Sequence, residues 1–120
     1  MIDWLDENGF PEFPPPRNAL TDPNGLLAAG GGMSPLWLDC AYRAGIFPWH
    51  DPDEVRLWWS PAPRAVITPT SFRIPRSVRK VLKRPWNLTT NLAFERVMTV
   101  CSAPRSATNG VWINPQMIEA

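Results

Sequence analysis

Residue types able to do chemistry gather in two stretches of this chain. The first is Gly45-Ile46-Phe47-Pro48-Trp49-His50, closed downstream by Leu57-Trp58-Trp59-Ser60-Pro61-Ala62-Pro63-Arg64. Three of the seven tryptophans lie in it. Its prolines lock φ and bias each preceding residue away from helix. Such a backbone suits an indole held out as a flat plate, and a plate stacked on a nucleobase contributes about 1–3 kcal/mol. The same indoles could instead close a small core, because tryptophan is mostly buried. His50, the chain's one histidine, stands beside Asp51 where a base could sit, but no Ser or Cys accompanies it at nucleophile spacing. Asp51, Asp53 and Glu54 are interrupted by Pro52 and lack calcium-loop spacing, so they read as a solvated loop.

The second stretch is cationic. Arg73, Arg76, Arg79, Lys80, Lys83 and Arg84 are half of the 12 basic residues, and no acid falls among them. Ile74, Val78, Val81 and Leu82 alternate with them at helical spacing. A solvated helix face would account for the charges. The absence of acidic i, i+4 partners favours an external polyanion, since the like charges otherwise repel. Cations beside indoles match a nucleic acid with an unpaired end, whose bases offer their faces.

The elements that must position these residues are short. Ser34-Pro35 starts a helix as N-cap and first-turn proline, and Gly45 ends it as the residue past the cap. Leu38, Ala41 and Tyr42 share one face of that helix with Trp37, and the helix delivers the aromatic loop. Ala65-Val66-Ile67-Thr68 reads as a strand between prolines, and Trp86 to Thr90 as another. The basic helix runs from about Pro75 to before Pro85. Asn91 caps a third helix whose stripe is Phe94, Val97, Met98 and Cys101, a core pattern. Asp22-Pro23-Asn24-Gly25 is a turn. Gly30-Gly31-Gly32 lacks the Lys-Ser/Thr of a phosphate loop and reads as a close-packed connection. Residues 1–16, with alternating acids and aromatics before Pro14-Pro15-Pro16, read as a loose arm. Ser102 to Gly110 reads as a polar loop before Val111-Trp112-Ile113. Asn114-Pro115 opens a helix that Ala120 leaves unfinished, which predicts that the sequence is part of a longer protein.

Composition bounds the rest. The 120 residues suit one small domain or a portion of a larger protein; 44% are hydrophobic and 15 are proline. A formal net charge of +1 makes the charge local rather than global. Cys40 and Cys101 have no partner His or Cys nearby, so neither a zinc site nor a disulfide framework is expected. No signal peptide or membrane-spanning run is legible, which predicts a cytoplasmic protein.

Pro23-Asn24-Gly25-Leu26-Leu27-Ala28, Ala41-Tyr42, Gly45-Ile46-Phe47-Pro48-Trp49, Leu57-Trp58-Trp59-Ser60-Pro61 and Pro63-Arg64 together resemble the N-terminal half of the leucyl/phenylalanyl-tRNA–protein transferase family. The likeness runs from about Phe13 to the end, with Arg76 to Arg84 and Trp112-Ile113 in register. It departs from the family at Gly32, usually Asp, at Ala62, commonly an acid, and at His50, often aromatic.

The resemblance implies an α+β (α/β) protein: a small N-terminal domain over 1–62, then the incomplete start of an acetyltransferase-like (GNAT-like) domain over 63–120. It implies transfer of Leu or Phe from aminoacyl-tRNA to the N-terminal Arg or Lys of an acceptor protein, marking it for N-degron degradation. Trp49, Trp112 and Tyr42 would border the terminal adenosine. Arg76, Lys80, Lys83 and Arg84, with Arg79 on the same face, would hold acceptor-stem phosphates. Catalytic residues are expected beyond Ala120, so this chain alone should be inactive. No metal or organic cofactor is expected, nor a membrane partner, and a monomer is expected. Two other readings draw on the same residues: a single-stranded RNA binding module without catalysis, and a peptide-binding domain that uses the indoles.

Overall fold

Trp58 is the residue around which the chain packs. It is 0% exposed and lies at the centre of β4, Leu57–Trp59. The computed structural model describes residues 1–51, 53–103 and 113–120. In it, β4 lies in a four-stranded mixed sheet with β1, Asp3–Leu5, β2, Leu26–Gly30, and β3, Phe47–Pro48. The spatial order is β1-β2-β4-β3. β1 runs parallel to β2, while β4 runs antiparallel to both β2 and β3. A bulge between Leu26 and Ala28 shifts the register against Trp59 and Trp58.

Strand residues alternate sides. Trp58 therefore faces α1, Pro35–Arg43, and stacks on its Trp37 with ring centroids 6.0 Å apart and planes 26° apart. Phe13 wedges edge-on against both, 5.4 Å from Trp37 and 4.7 Å from Trp58. The Trp58 indole N–H donates to the Gly30 carbonyl at 2.9 Å, so the buried donor is satisfied. Leu5, Leu27, Ala28, Ala41 and Ile46 complete this core.

The glycine run is the close-packed connection expected of it. A Cβ on Gly32 would sit 2.5 Å from the Trp37 indole nitrogen, and one on Gly31 2.7 Å from the same ring. The caps of α1 are also as the sequence indicates at the C-terminal end. Gly45 has φ 71°, its N–H donates to Tyr42 O at 3.0 Å, and the Ile46 N–H donates to Ala41 O at 2.8 Å. This is a Schellman closure, with Ile46 folded back into the core.

Several expectations need correction. The first residues are not a loose arm throughout, because Asp3–Leu5 pairs with Ala28, Ala29 and Gly30 and Phe13 enters the core. The inward face of α1 is Trp37 and Ala41, with Leu38 partly buried, whereas Tyr42 points out to solvent. Residues 65–68 and 86–90 are not strands: among the described residues no ladder partner lies beside them, and Leu88 is 91% exposed. Asn91 does not cap a helix. It adopts φ 60°, and α3, Phe94–Cys101, begins after Ala93. Phe94 and Val97 of the α3 stripe are exposed rather than core, while Met98 and Cys101 are half-buried. α2, Arg76–Leu82, forms where its periodicity places it, but buries no residue. Residues 104–112, including Trp112 and most of the expected polar loop, lie outside the described residues, as does Pro52.

α4, Pro115–Glu119, starts as Asn114-Pro115 implies, with the Asn114 carboxamide oxygen accepting from Met117 N–H at 3.0 Å. It returns to the sheet: Gln116 Oε1 accepts from Arg56 Nη2 at 3.3 Å, and Asn114 and Met117 are buried. The Cα radius of gyration is 17.5 Å, against about 14 Å for a compact domain of this length. The core is confined to the sheet and α1, and residues 62–97 are exposed. The architecture is α+β.

Candidate nucleic-acid interface

Trp49 stands one residue past the edge strand β3 and is 55% exposed. Proline at an edge strand sacrifices no central ladder bond, which is why Pro48 is tolerated there. Both backbone polar groups of Trp49 are held. Its N–H donates to Leu57 O at 2.9 Å, and its carbonyl accepts from the Trp59 indole N–H at 2.7 Å. The two indoles lie 6.0 Å apart at 54°. Phe47, the register partner of Trp59, shares their side of the sheet, and the Arg64 guanidinium lies 5.8 Å from the Phe47 ring centre. The face of the sheet opposite Trp58 thus carries a row of partly exposed aromatic rings with a cation at one end.

The two roles weighed for the indoles fall to different residues. Trp58 closes the core, and Trp49 is displayed. Tyr42 is also on the surface, at the last turn of α1. Partial desolvation raises its hydroxyl pKa above the ordinary value. Trp112, the third member of the expected adenosine site, lies outside the described residues.

Arg76, Arg79, Lys80, Lys83 and Arg84 are all exposed on α2 and its C-terminal end. Among the described residues no carboxylate pairs with any of them: the ion pairs are Arg43 with Asp39 and Arg56 with Glu7. Arg79 Nε donates to Ile74 O at 3.2 Å, tying that side chain back over the helix start. The Trp86 indole N–H donates to Val81 O at 2.8 Å, a carbonyl near the helix end that also accepts from the Arg84 N–H at 3.0 Å.

His50 is 7% exposed. Its Nδ1–H donates to Asp51 O at 2.8 Å. Nε2 is buried without a hydrogen-bond partner among the described residues. Asp51, Asp53 and Glu54 are exposed, as a solvated loop requires.

One feature was not legible in the sequence. A cleft of about 680 Å³ opens beside His50, lined also by Trp4, Asp6, Glu7, Glu54, Arg56 and Gln116. Arg56 organises its floor. Nη1 donates to Gly31 O, Nη2 to Gln116, and Nη1 lies 3.8 Å from Glu7 Oε1. A single arginine between Val55 and Leu57 carries no spacing signal, because its partners come from separate segments of the chain.

A family model described as leucyl/phenylalanyl-tRNA protein transferase matches residues 66–120, and one described as the N-terminal domain of the same family matches residues 31–62. The leucyl/phenylalanyl-tRNA–protein transferase of Azoarcus sp. (strain BH72) is 52% identical over 118 residues, covering 98% of this chain and 49% of that protein. That of Aromatoleum aromaticum is 49% identical over 121 residues, covering 100% and 50% respectively. That of Nitrosomonas europaea is 52% identical over 109 residues, covering 90% and 46%. The chain spans about half the length of the curated relatives it matches.

Proposed function

Since this chain belongs to the leucyl/phenylalanyl-tRNA–protein transferase family, we propose that the whole protein transfers Leu or Phe from aminoacyl-tRNA to the N-terminal Arg or Lys of an acceptor protein. In this reading the chain holds the donor tRNA. Trp49, with Tyr42 and Trp112, borders the terminal adenosine. Arg76, Arg79, Lys80, Lys83 and Arg84 take acceptor-stem phosphates. Residues 1–62 form the N-terminal domain, and 63–120 open an acetyltransferase-like (GNAT-like) domain. The setting is the cytoplasm, the protein acts as a monomer, and the product enters an N-degron route to degradation.

The observation that carries the reading is Trp49 itself. A tryptophan anchored at both its backbone N–H and its backbone carbonyl, with its side chain more than half exposed, is arranged to meet a flat ring. The cations of α2, which pair with no carboxylate among the described residues, support the same reading, since phosphates supply a counter-charge.

The reaction asks little beyond positioning. The α-amine of the acceptor attacks the ester carbonyl carbon, a C–N bond forms, the C–O bond to the ribose breaks, and a proton passes from the amine to the departing oxygen. The ester is already activated, so no metal or organic cofactor is required. Orientation alone supplies about 7–11 kcal/mol in favourable cases. The chain's share is to fix the ester end of the donor; the groups that handle the amine lie, by the family resemblance, beyond Ala120.

The test is transfer of radiolabelled Leu from Leu-tRNA to a peptide beginning with Arg. The whole protein is expected to transfer, and residues 1–120 alone are not. A whole protein that binds tRNA tightly but transfers nothing would make this a single-stranded RNA binding module instead.

A further inference from the structure

Trp49 does not hold its own position. Its N–H continues the β3–β4 ladder to Leu57, but the chain then leaves the sheet, and among the described residues no strand takes its carbonyl. The Trp59 indole takes it, at 2.7 Å. Trp59 has a backbone flanked by strands on both sides. It sits in β4 between two paired strands, with Leu26 and Phe47 as register partners. Trp49 sits where the edge strand gives way to the exposed Asp51, Asp53 and Glu54. The Trp59 ring also lies against the Trp49 ring at 6.0 Å and 54°, while Trp49 stays 55% exposed.

We infer that Trp59 is a positioning residue for the displayed plate: its indole N–H and its ring together set where Trp49 stands and which face it offers. The inference rests on the stacking role proposed above for Trp49. Trp59 acts through Trp49. A loosened plate binds less well in proportion to the time it spends out of place.

Puromycin, an aminoacyl-adenosine analogue, is the probe, titrated against the whole protein. Trp59→Phe keeps a ring and removes the donor. Its Kd for puromycin is expected to rise about 2- to 12-fold, the range set by removal of one neutral hydrogen bond, with the urea midpoint near that of the native protein. Trp49→Ala is expected to weaken binding further. The double variant is expected to match Trp49→Ala alone, because Trp59 has nothing left to position. A spectroscopic readout stands beside the titration: the far-ultraviolet circular dichroism difference, native minus Trp59→Phe, should coincide with native minus Trp49→Phe, both reporting the broken coupling of one indole pair.

Native affinity in Trp59→Phe overturns the inference and leaves the stacking role standing. Additive effects in the double variant also overturn it, since Trp59 would then touch the ligand independently. Unrelated difference spectra overturn it as well, whether or not the titration can be completed. Unchanged affinity in Trp49→Ala instead removes the stacking role, and the positioning role falls with it.

Discussion

Trp49 and Trp58 are the same side chain nine positions apart, with opposite fates. The sheet decides between them. Trp58 is in a central strand on the side facing α1, while Trp49 is past the end of the edge strand on the other side. Trp58→Ala should cost about 3–5 kcal/mol, measured as a lower urea midpoint, because Trp37 and Phe13 are both deprived of the ring they pack on. Trp49→Ala should leave that midpoint nearly unchanged while weakening puromycin binding about tenfold or more, on the scale of one base–indole stack. Its dependence of tRNA binding on salt should stay the same, since every cation that meets a phosphate is still in place. Gly32→Ala tests the packing against Trp37. Gly32 has no positive φ, so the cost of about 1–3 kcal/mol arises from overpacking alone. At this scale the sequence located the three indoles but not their division of labour. Local proline chemistry is alike around each of them, and strand parity is set by pairing partners far away in the chain.

Among the elements, helices were legible and strands were not. Pro35, Gly45, Pro75 and Asn114-Pro115 are local signals whose physics acts within a few residues, and α1, α2 and α4 form where they point. Strands need a neighbour. Val66 and Ile67 have the side chains of a strand and, among the described residues, no partner beside them, so the backbone there stays irregular and both are exposed. β1 is illegible for the converse reason: three residues, Asp3 to Leu5, are too few for any alternation to show, and they form a strand because β2 offers its edge. α2 carries its own prediction. Arg76 with Lys80, and Arg79 with Lys83 at the C-cap, are like-charged pairs at i, i+4, each costing a few tenths of a kcal/mol. Reversing Lys83 and Arg84 to Glu should weaken tRNA binding for every sequence and flatten the log–log salt dependence by about 1 for each phosphate left without its cation. The same change should leave puromycin affinity intact. At α4, Asn114→Ala should cost about 1 kcal/mol through removal of the cap, read from thermal unfolding.

On the scale of the whole molecule, one half of the chain folds around a core and the other half mostly does not bury itself. The sheet and α1 hold the buried residues, whereas α2 and the stripe of α3 leave Val81, Leu82, Phe94 and Val97 open. Composition cannot separate those halves, because apolar residues are present in both. α4 bridges them through Gln116 on Arg56 and the buried Met117. Arg56→Ala should therefore loosen the C-terminal helix from the sheet, seen as faster amide exchange at Met117 and Ile118 with the exchange of Ala28 unchanged.

The Phe13 wedge has a practical corollary for anyone shortening this polypeptide. Judged by its prolines and acids, the leader before Arg17 looks expendable, and a tag or a cut there would be a natural choice. Removing it strips an aromatic lid from two facing indoles and takes away the strand alongside β2, so a trimmed product should come out of cells as inclusion bodies, whereas an extension ahead of the fully exposed Met1 should be harmless.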